Sequence, residues 1–203
     1  MRRLSAVLLA LLPLSLATAG CVVVGSEGSA GGTGPAPQSA PAAGTAAPAE
    51  EQIARAVFDR VNAERAERGL EPVAWNDALA GVARDWSAEM ADTGEFRHQD
   101  IQSVLQGDEL SGFRAMGENI FQATGPVPAG TIHTGWMRSD EHRVNVLNPG
   151  WDRLGVGVFC AADGSVWATQ EFGRTVDGDR PAVATTTPPV EPIARPDEDG
   201  PTC

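Results

Sequence analysis

The sequence predicts a mixed α+β layer structure, and three observations carry that prediction. Between Pro48 and Gly94, apolar residues recur at helical spacing in two blocks. Leu154–Cys160 and Val166–Phe172 read as strands joined by Ala161-Ala162-Asp163-Gly164, and Asp-Gly is a strong hairpin signal. Between these regions, Gly117–Phe159 packs a Gly-Glu-Asn turn, the ionisable residues Glu118, Glu141 and His142, and Asn148-Pro149-Gly150 punctuation into one short block. Helices first and a hairpin last indicate a single domain over residues 50–175. Roughly 125 residues can bury a sizeable core.

Ahead of the domain, Met1-Arg2-Arg3 is a short basic start. Leu4–Ala17 is a run of Leu, Ala and Val broken only by Ser5, Pro13 and Ser15. The run is too short to span a bilayer as a helix and fits the apolar core of an export signal over residues 1–20. Thr18-Ala19-Gly20-Cys21 resembles the lipobox of bacterial lipoproteins, with Thr18 where Leu is usual. The expectation is cleavage before Cys21, acylation of its thiol, and a membrane partner reached through that lipid. Two or three acyl chains are needed for lasting attachment, at ~0.8 kcal/mol per buried methylene. Residues 22–49 are Gly, Ala, Ser, Pro and Thr almost throughout, with no apolar period, which predicts a disordered tether. As a coil it spans ~30 Å, and ~90 Å as polyproline II.

The first helix starts near Pro48 with Glu50 and Glu51 beside its positive end. Ile53, Val57 and Val61 form its stripe, Ala54 and Phe58 widen it, and Glu64 can pair with Arg68 before Gly69 ends it. Asn76 caps the second helix, whose apolar face is Leu79, Val82, Ala83, Trp86 and Met90; Gly94 stops it. Trp86 reads as a core anchor. Residues 95–116 carry no period beyond a turn of helix around Ile101–Leu105. A third helix starts near Thr131 and carries Ile132 and Trp136. Ser139 caps a short fourth holding Glu141, His142 and Val146. From Gly173 the chain turns Pro-, Thr- and acid-rich, so residues 176–203 read as a disordered tail unless Cys203 ties the end back.

The net charge is −12, every basic residue is Arg, and there is no Tyr. Loss of Arg2 and Arg3 with the signal leaves 13 basic against 27 acidic groups, a net −14. Such a chain is a poor partner for nucleic acid and gains no electrostatic hold on anionic lipid. With Cys21 acylated, Cys160 and Cys203 remain as an even pair in an oxidising setting. Their bridge would stabilise by ~4 kcal/mol on the chain-entropy estimate. The alternative is that Cys203 stays free or pairs between molecules, and that Cys160 is a buried thiol.

Taken together, VNAERAERGLEPVAWNDALAGVARDWSAEM, FRHQ, GENIF, W-x-x-S-x-x-H-R-x-N-V-L-N-P, L-G-V-G-V and WATQEFG resemble the bacterial branch of the CAP superfamily. Cysteine-rich secretory proteins, antigen-five allergens and plant pathogenesis-related proteins belong to it. The resemblance covers nearly all of residues 53–173, in order. It implies an α-β-α sandwich with a central antiparallel sheet, and a cleft holding two histidines and two glutamates. His98 matches the first histidine, Glu118 the first glutamate and His142 the second histidine. Ser139 stands where the second glutamate is usual, and Glu141 is acidic and close by, next to His142 in sequence. His133 matches no motif and reads as a surface or core-edge residue.

His98, Glu118 and His142 would make a first shell for zinc or another divalent cation, with one position open for water. The other reading is a hydrogen-bonded polar cluster that orders the cleft. No HExxH or G-x-S-x-G is present, so the ligand set rests on the resemblance. Glu118 and His142 are the candidate catalytic residues. Two functions follow. One is an exported, surface-anchored module binding a lipid or sterol-like molecule, a peptide or a glycan in a cleft of His98, Glu118, Ser139, Glu141 and His142. The other is a metal-dependent hydrolase of the cell envelope. Ser139 in the glutamate position counts against the hydrolase, because it removes an acid–base partner.

Overall fold

A computed structural model describes residues 48–181 and 199–203. The expected signal, Cys21, the tether up to residue 47 and tail residues 182–198 lie outside the described residues. Helix α1 spans Pro48–Glu67 and buries Ile53, Val57 and Val61 completely, and Glu64 pairs with Arg68 one turn on. A two-residue strand, β1 (Ala74–Trp75), leads into α2 (Asp77–Thr93). The Asn76 side chain accepts from the Leu79 N–H at the start of α2, and Gly94, at φ 69°, closes its end with an N–H to Met90 O.

After a turn of helix at Ile101–Leu105 (α3) and a 3-10 turn at Asp108–Leu110 comes strand β2, Phe113–Ala123. Helices α4 (Ala129–Arg138) and α5 (Asp140–Val146) follow, then strands β3 (Arg153–Cys160) and β4 (Val166–Thr175). The sheet order is β1-β3-β4-β2. The β3–β4 and β2–β4 pairs are antiparallel as expected, and β1 adds a parallel pair with β3 at the edge.

Helices cover both faces, which gives the three-layer sandwich. Leu154, Val156, Val158, Val166, Ala168 and Phe172 point to one face and pack with Ile53, Val57, Val61, Ile132, Trp136 and Met137 of α1 and α4. On the other face α2 lies directly on the sheet. A Cβ on Gly155 or Gly157 would meet α2 backbone atoms at 2.0–2.2 Å, so only glycine allows this approach.

Two readings are corrected here. Gly117-Glu118-Asn119 is the middle of β2, not a turn, and Phe113–Met116 is strand, not loop. Both Glu118 and Asn119 are buried polar residues, so the apolar alternation that marks a strand is missing. Of the surface and core-edge readings of His133, the surface one fails: it is 4% exposed on α4, with Nε2 3.8 Å from Glu64 Oε1 of α1.

The end of the chain is part of the domain. Cys203 is bonded to Cys160, with Cα atoms 5.7 Å apart. Pro201 O and Asp199 O accept from Ala129 N and Gly130 N, and Asp199 pairs with Arg60 of α1. These carbonyls satisfy first-turn donors of α4, which has no side-chain cap of its own.

Candidate functional site

The site lies at β2, the edge strand furthest from β1, and the Gly-Glu-Asn triplet builds it. Gly117 faces α5, where a Cβ would sit 2.8 Å from the Trp151 ring and 3.0 Å from Asn145 Oδ1, so α5 can come close. Asn119, on the same face, donates to His142 O and to Gln170 Oε1, each at 3.0 Å. Asn145 donates to Glu118 O at 3.0 Å and Asn119 Oδ1 at 2.9 Å. Buried Arg65 of α1 donates to Val146 O and Asn148 O at the end of α5. These bonds fix the short helix that carries His142 against the strand that carries Glu118.

Glu118, between Gly117 and Asn119, points to the opposite face of the sheet. The segment following α2 meets it there. That segment is pinned by Trp86 Nε1, which donates to Arg97 O at 3.1 Å, while the Arg97 guanidinium stacks 4.4 Å from the Trp86 ring centre. His98 Nδ1 then lies 2.5 Å from Glu118 Oε1. Gln99 N donates to the same oxygen at 3.1 Å. The Gln99 amide spends one hydrogen on Glu118 Oε2 at 2.9 Å and the other on Glu171 Oε1 at 2.6 Å.

Glu171 sits on β4 in register with Glu118 and is fully buried. Its carboxyl is pushed well above the usual range, first by burial, then by the charge of Glu118 and a hydrogen bond with it; Gln99 offsets part of this. Glu171 is therefore the member of the carboxyl pair that holds its proton more tightly. His142 is held below the usual imidazole value by burial and by repulsion from His98, partly offset by Glu141. The His98 side chain is 57% exposed and the Glu118 side chain 2% exposed, so the histidine is the solvent-facing end of a buried acid network.

Of the residues singled out by sequence, His98 and Glu118 meet directly, while His142 lies on the helix that Asn119 and Asn145 dock against β2 and acts on His98 through charge. Ser139 occupies the N-cap position of α5 but its side chain makes no capping bond. Glu141 is exposed and acts on His142 only through its charge. The second carboxyl against Glu118 is instead Glu171, and Gln99 bridges the two. Neither was singled out. The available signals were an amide directly after His98 and an acid inside the apolar WATQEFG strand. Among the described residues no three His, Cys, Asp or Glu side chains are grouped to hold a metal ion. Both Glu118 oxygens already accept hydrogen bonds, so the chemistry of the donor set is two imidazoles with a carboxylate behind one of them. Among the described residues no helix is long and apolar enough to cross a membrane.

Comparison with known proteins agrees with this architecture. The chain is 34% identical over 122 residues to the uncharacterized protein YkwD of Bacillus subtilis, covering 58% of this chain and 46% of that one. It is 32% identical over 106 residues to the uncharacterized membrane protein YlbC of the same organism, covering 50% and 30%. The chain thus spans less than half the length of these curated relatives. An extracellular SCP-domain protein from Bacillus anthracis superposes with a TM-score of 0.53 at 32% identity, over 62% of this chain and 41% of that one. An outer surface protein of Borrelia burgdorferi gives 0.55 at 15% identity, over 62% and 94%, a likeness of fold alone. The family model described as CAP, the cysteine-rich secretory protein family, matches residues 58–172, and the chain belongs to that family.

Proposed function

We propose that this CAP domain works outside the cell as a binding module, taking a small ligand at the edge of β2 between His98 and His142. The observation that carries this reading is the His98–Glu118 contact. It engages Nδ1 on a buried carboxylate and leaves Nε2 as the outer atom of a half-exposed ring, with His142 close enough to act on it through charge. Ligands consistent with the site are a lipid or sterol-like molecule, a peptide or a glycan.

A divalent cation such as zinc would be taken by His98 and His142, with Glu118 orienting His98 from behind. When bound, it would supply a Lewis acid for an oxygen ligand. The remaining residues hold and orient: Gln99 fixes Glu118, and Asn119 and Asn145 fix α5. A metal-dependent hydrolase stands second, because both Glu118 oxygens are already taken up by Gln99 and His98, which leaves Glu118 poorly placed as a general base. The export signal, the oxidised cysteine pair and the extracellular description of the Bacillus anthracis relative support a location outside the cell. Attachment through an acylated Cys21 belongs to the same proposal.

Zinc titration calorimetry on the chain tests the site. The expected result is saturable one-to-one binding in wild type that falls at least tenfold in both His98→Ala and His142→Ala. Absence of saturable binding would remove metal from the reading, and capture of lipid vesicles and envelope glycans by wild type against His98→Ala would then decide the ligand class.

A further inference from the structure

The opposite edge of the sheet holds a gap that nothing in the site explains. Strand β1 is only two residues long, because the chain turns into α2 at Asn76. Beyond it, β3 continues for five residues, Val156–Cys160, with β4 on one side and, among the described residues, no strand on the other. The ladder fixes which backbone groups face that open side. Leu154 O accepts from Asn76 N of the β1 segment, Cys160 N donates outward to Glu50 Oε1 at 2.9 Å, and Ala161 N donates inward to Ser165 O. Even-numbered residues of β3 therefore point away from β4. The N–H and C=O groups of Val156 and Val158 face outward, and no hydrogen bond from a described residue reaches them there.

The Val156 and Val158 side chains pack into the core towards α1, and their outward backbone groups line a groove of about 290 Å³ that opens to solvent. A strand edge held open in this way is a template for pairing with an added strand. One wall of the cavity is α1 at Ala54 and Arg55, the other is α2 at Ala80, Gly81 and Arg84, and Trp75 closes one end. Ala54, Ala80 and Gly81 are what leave the space; a Cβ on Gly81 would meet nothing within 4 Å. Arg55 and Arg84 stand among Glu50, Glu51 and Asp77, a near-balanced lining that favours no single-sign ligand such as a phosphate or a fatty acid. Alternating donors and acceptors at strand spacing, small walls and mixed charge fit a neutral peptide backbone.

We propose that this slot is a strand-addition site, in which an extended segment of another protein, small-residued over three positions (~10 Å), continues the line of β1 alongside β3. Its amide groups pair with Val156 and Val158, and its side chains are limited to Gly, Ala or Ser size by Ala54, Ala80 and Gly81. The site is separate from His98 and His142 and does not depend on what they bind.

The test is selection of a phage-displayed octapeptide library on the full chain, followed by titration of the selected synthetic peptides into nitrogen-15-labelled protein. Small residues are expected at the enriched positions, with the Val156 and Val158 amides shifting and exchanging at least tenfold more slowly. Gly81→Leu fills the slot while raising helix propensity, so it is expected to stay folded and lose affinity at least tenfold, whereas His98→Ala binds as wild type. Peptides that bind Gly81→Leu as well as wild type, or that leave the two amides unmoved, overturn the proposal. If deletion of residues 22–47 alone changes those amides, the slot belongs to the chain's own leader and the partner reading falls.

Discussion

The two faces of the sheet are built from alternate residues of the same strands but are filled in different ways. Towards α1 and α4, β3 and β4 present Leu154, Val156, Val158, Val166, Ala168 and Phe172, and the helices answer with Ile53, Val57, Ile132, Trp136 and Met137. Towards α2, β3 presents Gly155 and Gly157, so backbone meets backbone at Leu79 and Ala83, and the large apolar side chains gather in a small cluster of Trp86, Met90, Ile120 and Trp167. That face also holds Glu118 and Glu171 with Gln99 laid across them, Glu171 standing between Thr169, which bonds Ser87 of α2, and Gly173, which Leu79 of α2 overlies. The difference is instructive. Stability is concentrated on one face, which lets the other carry a buried acid pair at its edge.

If that division is right, removing atoms should hurt most on the α1 face and adding them most on the α2 face. Phe172→Ala empties a fully buried site stacked on Trp151, and the expected loss is about 3–5 kcal/mol in urea denaturation. Gly157→Ala adds one methyl group where α2 backbone already stands, and α2 must move away; the expected loss is about 1–3 kcal/mol. A neutral Gly157→Ala would mean that α2 does not lie on the sheet as described.

The same division explains what could be read from the sequence. Helices α1 and α2 and the β3–β4 hairpin were legible because their buried faces are apolar and periodic. Strand β2 was not, because Glu118 and Asn119 are buried there and hide the alternation. Motifs singled out His98 and Glu118, which meet, and His142, which lies on the helix docked against the Glu118 strand, but the second carboxyl could not be read. Sequence proximity pointed to Glu141, and it was strand register that brought Glu171 opposite Glu118. With Cys21 set aside, parity offered the Cys160–Cys203 bridge as one of two readings, and that bond is present. The docking of Asp199 and Pro201 on α4 runs through backbone carbonyls, which any residue type can supply.

The acid pair gives the smallest and most discriminating test. Glu171 holds its proton more tightly in the folded protein, because of burial and of Glu118, than in the unfolded chain, where it ionises near the ordinary glutamate value of about 4.3. Above that value the folded state holds a proton that the unfolded state has released. Stability from this group is therefore fully present at lower pH and is lost as pH rises towards its folded value. Glu171→Gln keeps an amide that can still bond Glu118 but has no proton to lose. Its stability should fall less with rising pH than that of wild type, so the variant gains on wild type between pH 5 and pH 8. His142 runs the other way. Held neutral when folded, it contributes stability above about pH 6.5 that is lost as pH falls through its lower folded value, and Glu171→Gln leaves that acid limb unchanged. Urea denaturation of both proteins at pH 5, 6.5 and 8 separates the two limbs. Parallel curves across the whole range would mean that Glu171 is ionised beside Glu118, and the polar face would then be held together by some counter-charge other than a shared proton.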